Sequence, residues 1–295
     1  MLISTHGLPA VLETLSVLVA SDGTPSDAVP AGSAAGRLAW LWQQYMRRLE
    51  PAVPTLDTDL GALPVHIGDT PQGQALLDAF HRACAADSVS YERPRYTAED
   101  ANQLIRSSEQ VSDALDGLAS AWPEVRTLYG LLLPIVVLAP SRSLAGGTAS
   151  SLPGVLWASV TPAWTRTDVQ EFLLHELVHT TLFLEERRYG FYRNMRLLLD
   201  EENLTPSAIR TDRRPLDKVF HSIVVATEIL LARIRLGTSS HSGDSLHPDS
   251  EILRENALTS IRAVQKLDTS RLLTSRPIEI MEKCRTHLQQ MVPFR

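Results

Sequence analysis

The chain has 295 residues, with 28 basic and 34 acidic side chains and hence a formal net charge of −6. Hydrophobic residues make up 44% of it and charged residues 21%, which is enough apolar material for a buried core and excludes an intrinsically disordered chain. The acidic balance argues against nonspecific nucleic-acid binding, because such binding needs a basic surface that displaces counterions. We therefore expect a globular protein with no nucleic-acid partner.

The two cysteines, Cys84 and Cys284, lie 200 positions apart, and we expect them to be reduced thiols. A metal in this chain would need nitrogen and oxygen ligands, because two cysteines cannot form a thiolate cluster. The N-terminal apolar stretch has no basic residue before it and is interrupted by Glu13, which is not typical of a signal peptide. The most apolar run, 131–139, is too short to span a bilayer. These features predict a cytoplasmic protein with no membrane partner.

Hydrophobic periodicity predicts helices along most of the chain, at 34–49, 72–86, 98–121, 167–189, 216–236, 251–267 and 277–291. Two short and continuously apolar runs are typical of buried strands, at 131–139 and 154–160. Stretches rich in small and polar residues predict loops at 23–32, 51–70, 145–153 and 238–250. The elements together predict an α+β fold, mostly helical, with a small central sheet next to the helix of 167–189.

Both central helices carry start and stop signals. Thr167 and Gln170 have the spacing of a capping box for the first helix, and Gly190 follows its last turn. Pro215 occupies a first-turn position of the second helix, where proline is favoured, and Gly237 follows the last helical residue. We expect sharp boundaries for these two helices.

The first of these helices contains the sequence His175-Glu176-Leu177-Val178-His179. Histidines four residues apart lie ~40° apart around a helix with a rise of ~6 Å, so that both imidazoles can reach one metal ion. The glutamate between them points close enough to contact a metal-bound ligand. Without a metal, two imidazoles and a carboxylate facing an apolar interior would be costly to satisfy. We predict His175 and His179 as metal ligands and Glu176 as a catalytic residue.

The third metal ligand decides the class of the site. Thr180 to Glu186 contains neither a glycine turn nor a histidine, which excludes the longer-spaced metalloproteases. His221 and Glu228 lie seven residues apart on the helix of 216–236, hence on one face, and either could complete a facial triad. Glu201 and Glu202 are formal candidates in a polar stretch that is more typical of a solvated loop.

Three segments and their order resemble the HExxH-type peptide β-hydroxylases. They are Ser151-Leu152-Pro153-Gly154-Val155, then Leu174 to Thr180 around the histidine pair, and Arg214-Pro215-Leu216 followed by His221. The resemblance covers roughly 145–237 of this chain. That family consists of iron(II)- and 2-oxoglutarate-dependent oxygenases associated with modification of ribosomally made peptides.

The resemblance implies an iron(II) centre bound by His175 and His179, with His221 as the third ligand. Arg214 would bind the distal carboxylate of 2-oxoglutarate, and O2 would be the second cosubstrate. An arginine fork suits a carboxylate, although the neighbouring Arg210 and Arg213 are expected to form a solvated loop patch. We expect a single domain over 1–295, with the metal and cosubstrate core at about 130–237 and helical parts at 1–125 and 250–295.

The implied activity is hydroxylation of Cβ of an amino-acid residue in a peptide, or of a free or carrier-bound amino acid. Glu176 would then orient a ligand or the substrate through hydrogen bonds. One alternative is a zinc metalloprotease in which Glu176 activates water and Glu228 is the third ligand. A second alternative is a non-catalytic binding protein stabilised by a metal, but structural zinc usually has four ligands and often cysteine.

Overall fold

The computed structural model describes residues 7–21, 33–55, 65–67, 70–86, 98–141, 145–210, 212–238 and 246–291. It confirms the α+β fold, mostly helical, with a small sheet. The chain divides into two compact units, an N-terminal unit of Leu12–Thr180 and a C-terminal unit of Met1–Val11 and Thr181–Arg295. The single-domain organisation stays a prediction, and the predicted loop 23–32 lies outside the described residues.

The N-terminal unit is built around a sheet of four strands in the order β1-β2-β4-β3. The strands are β1 (Val65–Ile67), β2 (Ile135–Leu138), β3 (Gly146–Ala149) and β4 (Leu152–Ala158). β1, β2 and β4 are parallel, and β3 is an edge strand antiparallel to β4. Every residue of β2 and β4 is buried, as expected for apolar strands covered on both faces.

Helices cover this sheet. They are α2 (Ala34–Leu49), α3 (Pro71–Ala86), α4 (Ala98–Ala121) and α5 (Pro123–Leu132), preceded by α1 (Gly7–Ser21). α2 buries Trp42 and Met46, and α2 and α3 both pack against β4. The predicted helices at 34–49, 72–86 and 98–121 are confirmed.

Several sequence predictions for this unit are wrong. The strand predicted at 131–139 begins only at Ile135, because α5 starts at Pro123, a favoured first helical residue, and continues to Leu132. The loop predicted at 145–153 contains β3, and the loop predicted at 51–70 contains β1. These strands are short, and their structure comes from pairing with neighbouring strands rather than from local sequence. α1 was not predicted either.

The sheet lies directly beside the helix that carries the histidine pair, α6 (Arg166–Tyr189). Gly146 of β3 has φ +141°, and a Cβ at this position would lie 2.3 Å from the Trp157 carbonyl oxygen and 2.7 Å from the Phe172 ring of α6. Only glycine fits such a close approach. The predicted position of the small sheet, next to the HExxH helix, is therefore confirmed.

The start of α6 differs from the predicted capping box. The helix begins at Arg166, so the cap falls on Thr165 rather than on Thr167. Asp168 Oδ2 accepts hydrogen bonds from the Thr165 amide at 2.8 Å and from its hydroxyl at 2.6 Å, and Thr165 Oγ1 accepts from the Asp168 amide at 3.2 Å. Gln170 instead donates to the Ala114 carbonyl oxygen at 3.3 Å. The predicted stop at Gly190 is confirmed by its φ of +59°.

The two capping assignments can be separated by mutation. We expect Thr165→Ala to lower the free energy of unfolding by about 1 kcal/mol, because the cap hydroxyl and its bonds to the buried Asp168 are lost. Thr167→Ala is the matched control and should change stability by less than about 0.5 kcal/mol. Urea unfolding followed by circular dichroism measures both, and a larger effect at Thr167 would contradict the observed cap.

The C-terminal unit is mainly helical. Its helices are α7 (Leu216–Leu236), α8 (Ser250–Val264), α9 (Thr269–Leu272) and α10 (Ser275–Gln290), and α7 packs against both α8 and α10. Two-residue strands β5 (Thr205–Pro206) and β6 (Arg213–Arg214) pair antiparallel, after short 3-10 turns at Met195–Leu199 and Glu201–Asn203. Among the described residues, no helix has the length and apolar character needed to cross a membrane.

The predictions for this unit hold for α7 and need adjustment elsewhere. α7 has the predicted bounds and ends at Gly237 with φ +64°, but Pro215 is its N-cap residue rather than its first helical residue. The helix predicted at 251–267 ends at Val264, and α9 intervenes before α10. Most of the predicted loop 238–250 lies outside the described residues.

Candidate metal centre

The histidine pair lies in the middle of α6, whose neighbouring apolar side chains are buried. His175 and His179 are both half-buried, and their Nε2 atoms are 3.0 Å apart. The ring centroids are 4.8 Å apart and the rings are inclined by 54°. The four-residue spacing therefore makes the two imidazole nitrogens converge on one point, as the sequence predicts.

The distance between these nitrogens suits a shared metal ion. Two ligands at about 2.1 Å from a metal are about 3.0 Å apart at neighbouring corners of an octahedron and about 3.4 Å apart in a tetrahedron. The observed 3.0 Å between the two Nε2 atoms is close to both values and is also the length of an ordinary hydrogen bond between two ring nitrogens. The donor set of two imidazoles fits iron as well as zinc.

Glu176 lies beside the pair and is held by the sheet. The Thr148 hydroxyl donates a hydrogen bond to Glu176 Oε2 at 2.9 Å, and the Thr148 amide also donates to this carboxylate. Glu176 Oε1 lies 3.9 Å from His175 Nε2. Burial raises the pKa of Glu176 to about 7, against the lowering effect of the bonds from Thr148. Glu176 can therefore hold or release a proton near neutral pH.

Two residues next to this centre were missed by the sequence analysis. Thr148 lies in a stretch that was predicted as a loop, and nothing in the sequence indicates its contact with Glu176. The Tyr129 hydroxyl donates a hydrogen bond to the Leu173 carbonyl oxygen of α6, and the residue is buried. Burial, and then the charge of Glu176, raise the pKa of Tyr129 well above its usual value. Tyr129 thus stays a neutral phenol beside the helix.

His221 of α7 contacts the last turns of α6. Its Nε2 lies 3.0 Å from Glu186 Oε1, and its ring packs on Phe183 with centroids 5.2 Å apart. Burial acts to raise the pKa of Glu186, but His221 and then Tyr192 and Lys218 outweigh it, so that this pKa is lowered. Glu186 was also missed. Its one signal in the sequence is its place seven residues after His179, on the same face of the helix.

The other candidates for a third ligand have different surroundings. Glu228 is fully buried in α7, and its charge acts on Cys284 and His287 of α10. Burial raises the pKa of the Cys284 thiol to about 12, and the charge of Glu228 adds to this. Cys84 is buried as well, in agreement with the prediction of two reduced thiols. Glu201 and Glu202 are exposed.

The arginines before α7 lie at the start of the C-terminal helical part. Arg214 of β6 donates from Nε to both carboxylate oxygens of Asp212, at 3.1 and 3.0 Å, and its side chain is 32% exposed. The exposed Arg213 donates to the carbonyl oxygens of Glu201 and Leu204, and Arg210 is also exposed. The role of Arg214 towards 2-oxoglutarate stays a prediction.

The structure thus gathers His175, His179 and Glu176 with Thr148 in the N-terminal unit, and His221 with Glu186 in the C-terminal unit. Within the described parts of the chain, no group of three or more histidine, cysteine, aspartate or glutamate side chains is arranged to hold a metal ion. The third ligand therefore stays a prediction. No protein-family model matches the chain, and no curated protein is significantly similar to it.

Proposed function

We propose that the protein is a non-haem iron(II) and 2-oxoglutarate-dependent oxygenase that hydroxylates Cβ of an amino-acid residue. The substrate would be a peptide, such as a ribosomally made natural-product precursor, or a free or carrier-bound amino acid. The observation that carries this proposal is the convergence of His175 and His179, whose Nε2 atoms are 3.0 Å apart beside a buried carboxylate.

The predicted ligands are more typical of an oxygenase iron centre than of a structural zinc site. Oxygenase iron is held by three protein ligands on one face, which leaves positions for the cosubstrates. His175 and His179 would be two of these ligands and His221 the third. Structural zinc would also draw on cysteine, and both cysteines are buried elsewhere in the chain.

Bound iron, together with 2-oxoglutarate and O2, would supply the oxidising power for inserting one oxygen atom into a C–H bond, with succinate and CO2 as coproducts. The protein's residues bind and orient the reactants. Glu176, with Oε1 towards His175 and Oε2 on Thr148, would accept a hydrogen bond from substrate or donate one when protonated. The apolar side chains of α6 and the sheet would exclude water.

Arg214 would contribute charge at the cosubstrate. The Arg214 Nε donates to both carboxylate oxygens of Asp212. A bidentate guanidinium–carboxylate pair uses two parallel N–H donors instead, and the distal carboxylate of 2-oxoglutarate would form such a pair with Arg214 beside Asp212 or in its place. A cytoplasmic location belongs to the same proposal, because two buried reduced thiols suit a reducing compartment.

Uncoupled turnover tests the oxygenase directly, without knowledge of the substrate. The purified chain would be reconstituted with iron(II) under anaerobic conditions, supplied with 2-oxoglutarate and exposed to O2, and succinate would be measured. We expect succinate that requires both iron and O2 and that is absent from His179→Ala. The proposal would be overturned if the wild type formed no more succinate than His179→Ala, even when peptide and amino-acid substrates were also supplied.

The second candidate, a zinc metalloprotease, is favoured by one observation. The buried carboxylate of Glu176 lies beside the histidine pair, with Oε1 3.9 Å from His175 Nε2, and a carboxylate in this place suits a general base that activates a zinc-bound water. In that case the zinc-loaded protein should cleave unfolded peptides, and Glu176→Gln should abolish cleavage. Absence of peptidase activity in the zinc-loaded protein would exclude this candidate.

A further inference from the structure

The register between the edge strand β3 and β4 shifts at Thr148, which contacts Glu176. Gly147 pairs with Trp157 and Ala149 pairs with Leu152. Thr148 is the one residue of β3 between these pairs and lies opposite 153–156, so the extra residues of this irregularity belong to β4. Such a shift interrupts the regular ladder at Thr148. Here both donors of Thr148, the hydroxyl and the amide, bind the Glu176 carboxylate.

The preceding glycines allow this geometry. Gly146 has φ +141°, which side chains other than glycine rarely adopt, and its close approach to the Phe172 ring brings β3 against α6. Thr148 therefore lies against the turn of α6 that carries Glu176. Irregularities of this kind in a strand pair recur next to active sites.

The two oxygens of Glu176 have different surroundings. Oε2 accepts the Thr148 hydroxyl at 2.9 Å. Oε1 lies 3.9 Å from His175 Nε2, on the side of the histidine pair. Rotation of the carboxylate would exchange these oxygens, and the bond from Thr148 opposes that rotation. A ligand bound at the histidine pair would accordingly meet Oε1.

We propose that Thr148 is a positioning residue that fixes the orientation of the Glu176 carboxylate towards a ligand at the histidine pair. The effect of Thr148 on catalysis rests on the proposed function. Thr148 acts through Glu176 and binds neither the metal nor the cosubstrate. Partners of this kind are worth about 10–100-fold in activity.

Three variants test this role. Thr148→Val keeps the branched shape and the backbone amide but removes the hydroxyl, and Thr148→Ser keeps the hydroxyl. Thr180→Val is the matched control, because the Thr180 hydroxyl bonds to the backbone carbonyl oxygen of Glu176 at 3.0 Å and not to its carboxylate. The rate of succinate formation, the KM for 2-oxoglutarate and the Kd for iron(II) would be measured for each.

We expect Thr148→Val to lower kcat about 10–100-fold, while KM and Kd change less than about 2-fold. Thr148→Ser and Thr180→Val should stay within about 3-fold of the wild-type kcat. A merely structural role would lower kcat together with metal affinity. An unchanged kcat in Thr148→Val, or an equal loss in iron affinity, would overturn the inference.

A second readout needs no turnover and separates this inference from the proposed function. The carboxyl infrared band of Glu176 can be identified in the metal-free protein as the difference between the wild type and Glu176→Gln. Thr148→Val should shift this band, and Thr148→Ser should leave it near its wild-type position. A shift without any succinate would overturn the oxygenase but keep the positioning. An unshifted band would overturn the positioning of Glu176.

Discussion

Replacing His175 or His179 by alanine should lower the affinity for iron(II) by more than about 100-fold. Loss of a residue that only orients a metal ligand already lowers affinity about 10–100-fold, so loss of a ligand itself should have a larger effect. The Nε2 atoms of the pair are 3.0 Å apart, and each variant removes one of the two converging donors. Anaerobic equilibrium dialysis with iron(II) measures the Kd of each variant.

His81→Ala is the matched control, because His81 is exposed on α3. Its affinity for iron(II) should equal that of the wild type. Circular dichroism and urea unfolding should show that the variants of the pair remain folded. Wild-type affinity in both His175→Ala and His179→Ala would mean that the pair is a hydrogen-bonded feature of the helix and not a metal site.

His221→Ala should lower iron(II) affinity by more than about 100-fold, whereas Glu228→Gln should change it by less than about 3-fold. The reason is the third ligand of the proposed iron centre, which is His221 and not Glu228. The charge of Glu228 instead acts on Cys284 and His287 of α10. Dialysis under the same conditions measures both affinities.

A second substitution separates ligation from folding at this position. His221→Ala leaves the carboxylate of Glu186 without its imidazole partner, which is destabilising by itself. His221→Gln keeps a donor for Glu186 but provides no imidazole for the metal. We expect loss of iron affinity in His221→Gln with near-normal stability. Loss of metal binding in Glu228→Gln, with normal binding in both His221 variants, would favour the zinc-protease arrangement instead.

Much of the fold follows from local sequence patterns. α2, α3 and α4 were predicted from their apolar spacing, and α7 also from Gly237 beyond its end. The strand β3 could not be predicted in this way, because two adjacent glycines are typical of a turn and the strand exists through its pairing with β4. α5 was missed because its apolar residues merge with those of β2 across Pro134.

Some residues of the candidate site could be predicted from the sequence and others could not. The pair His175 and His179, with Glu176, follows from helical spacing alone. Thr148 could not be predicted, because it lies 28 residues before Glu176 and its contact depends on how β3 pairs with β4. The contact between Glu186 and His221 joins two helices over 35 residues. Such contacts are set by tertiary packing, which no local pattern of this chain encodes.

The most direct test of the proposed function is the visible absorption of the anaerobic protein loaded with iron(II), before and after addition of 2-oxoglutarate. We expect a metal-to-ligand charge-transfer band when 2-oxoglutarate is added to the wild type and to His81→Ala. The band should be absent from His179→Ala, and Arg214→Ala should need more 2-oxoglutarate to develop it. Wild-type protein that binds iron(II) but shows no such band at saturating 2-oxoglutarate would contradict the proposed function.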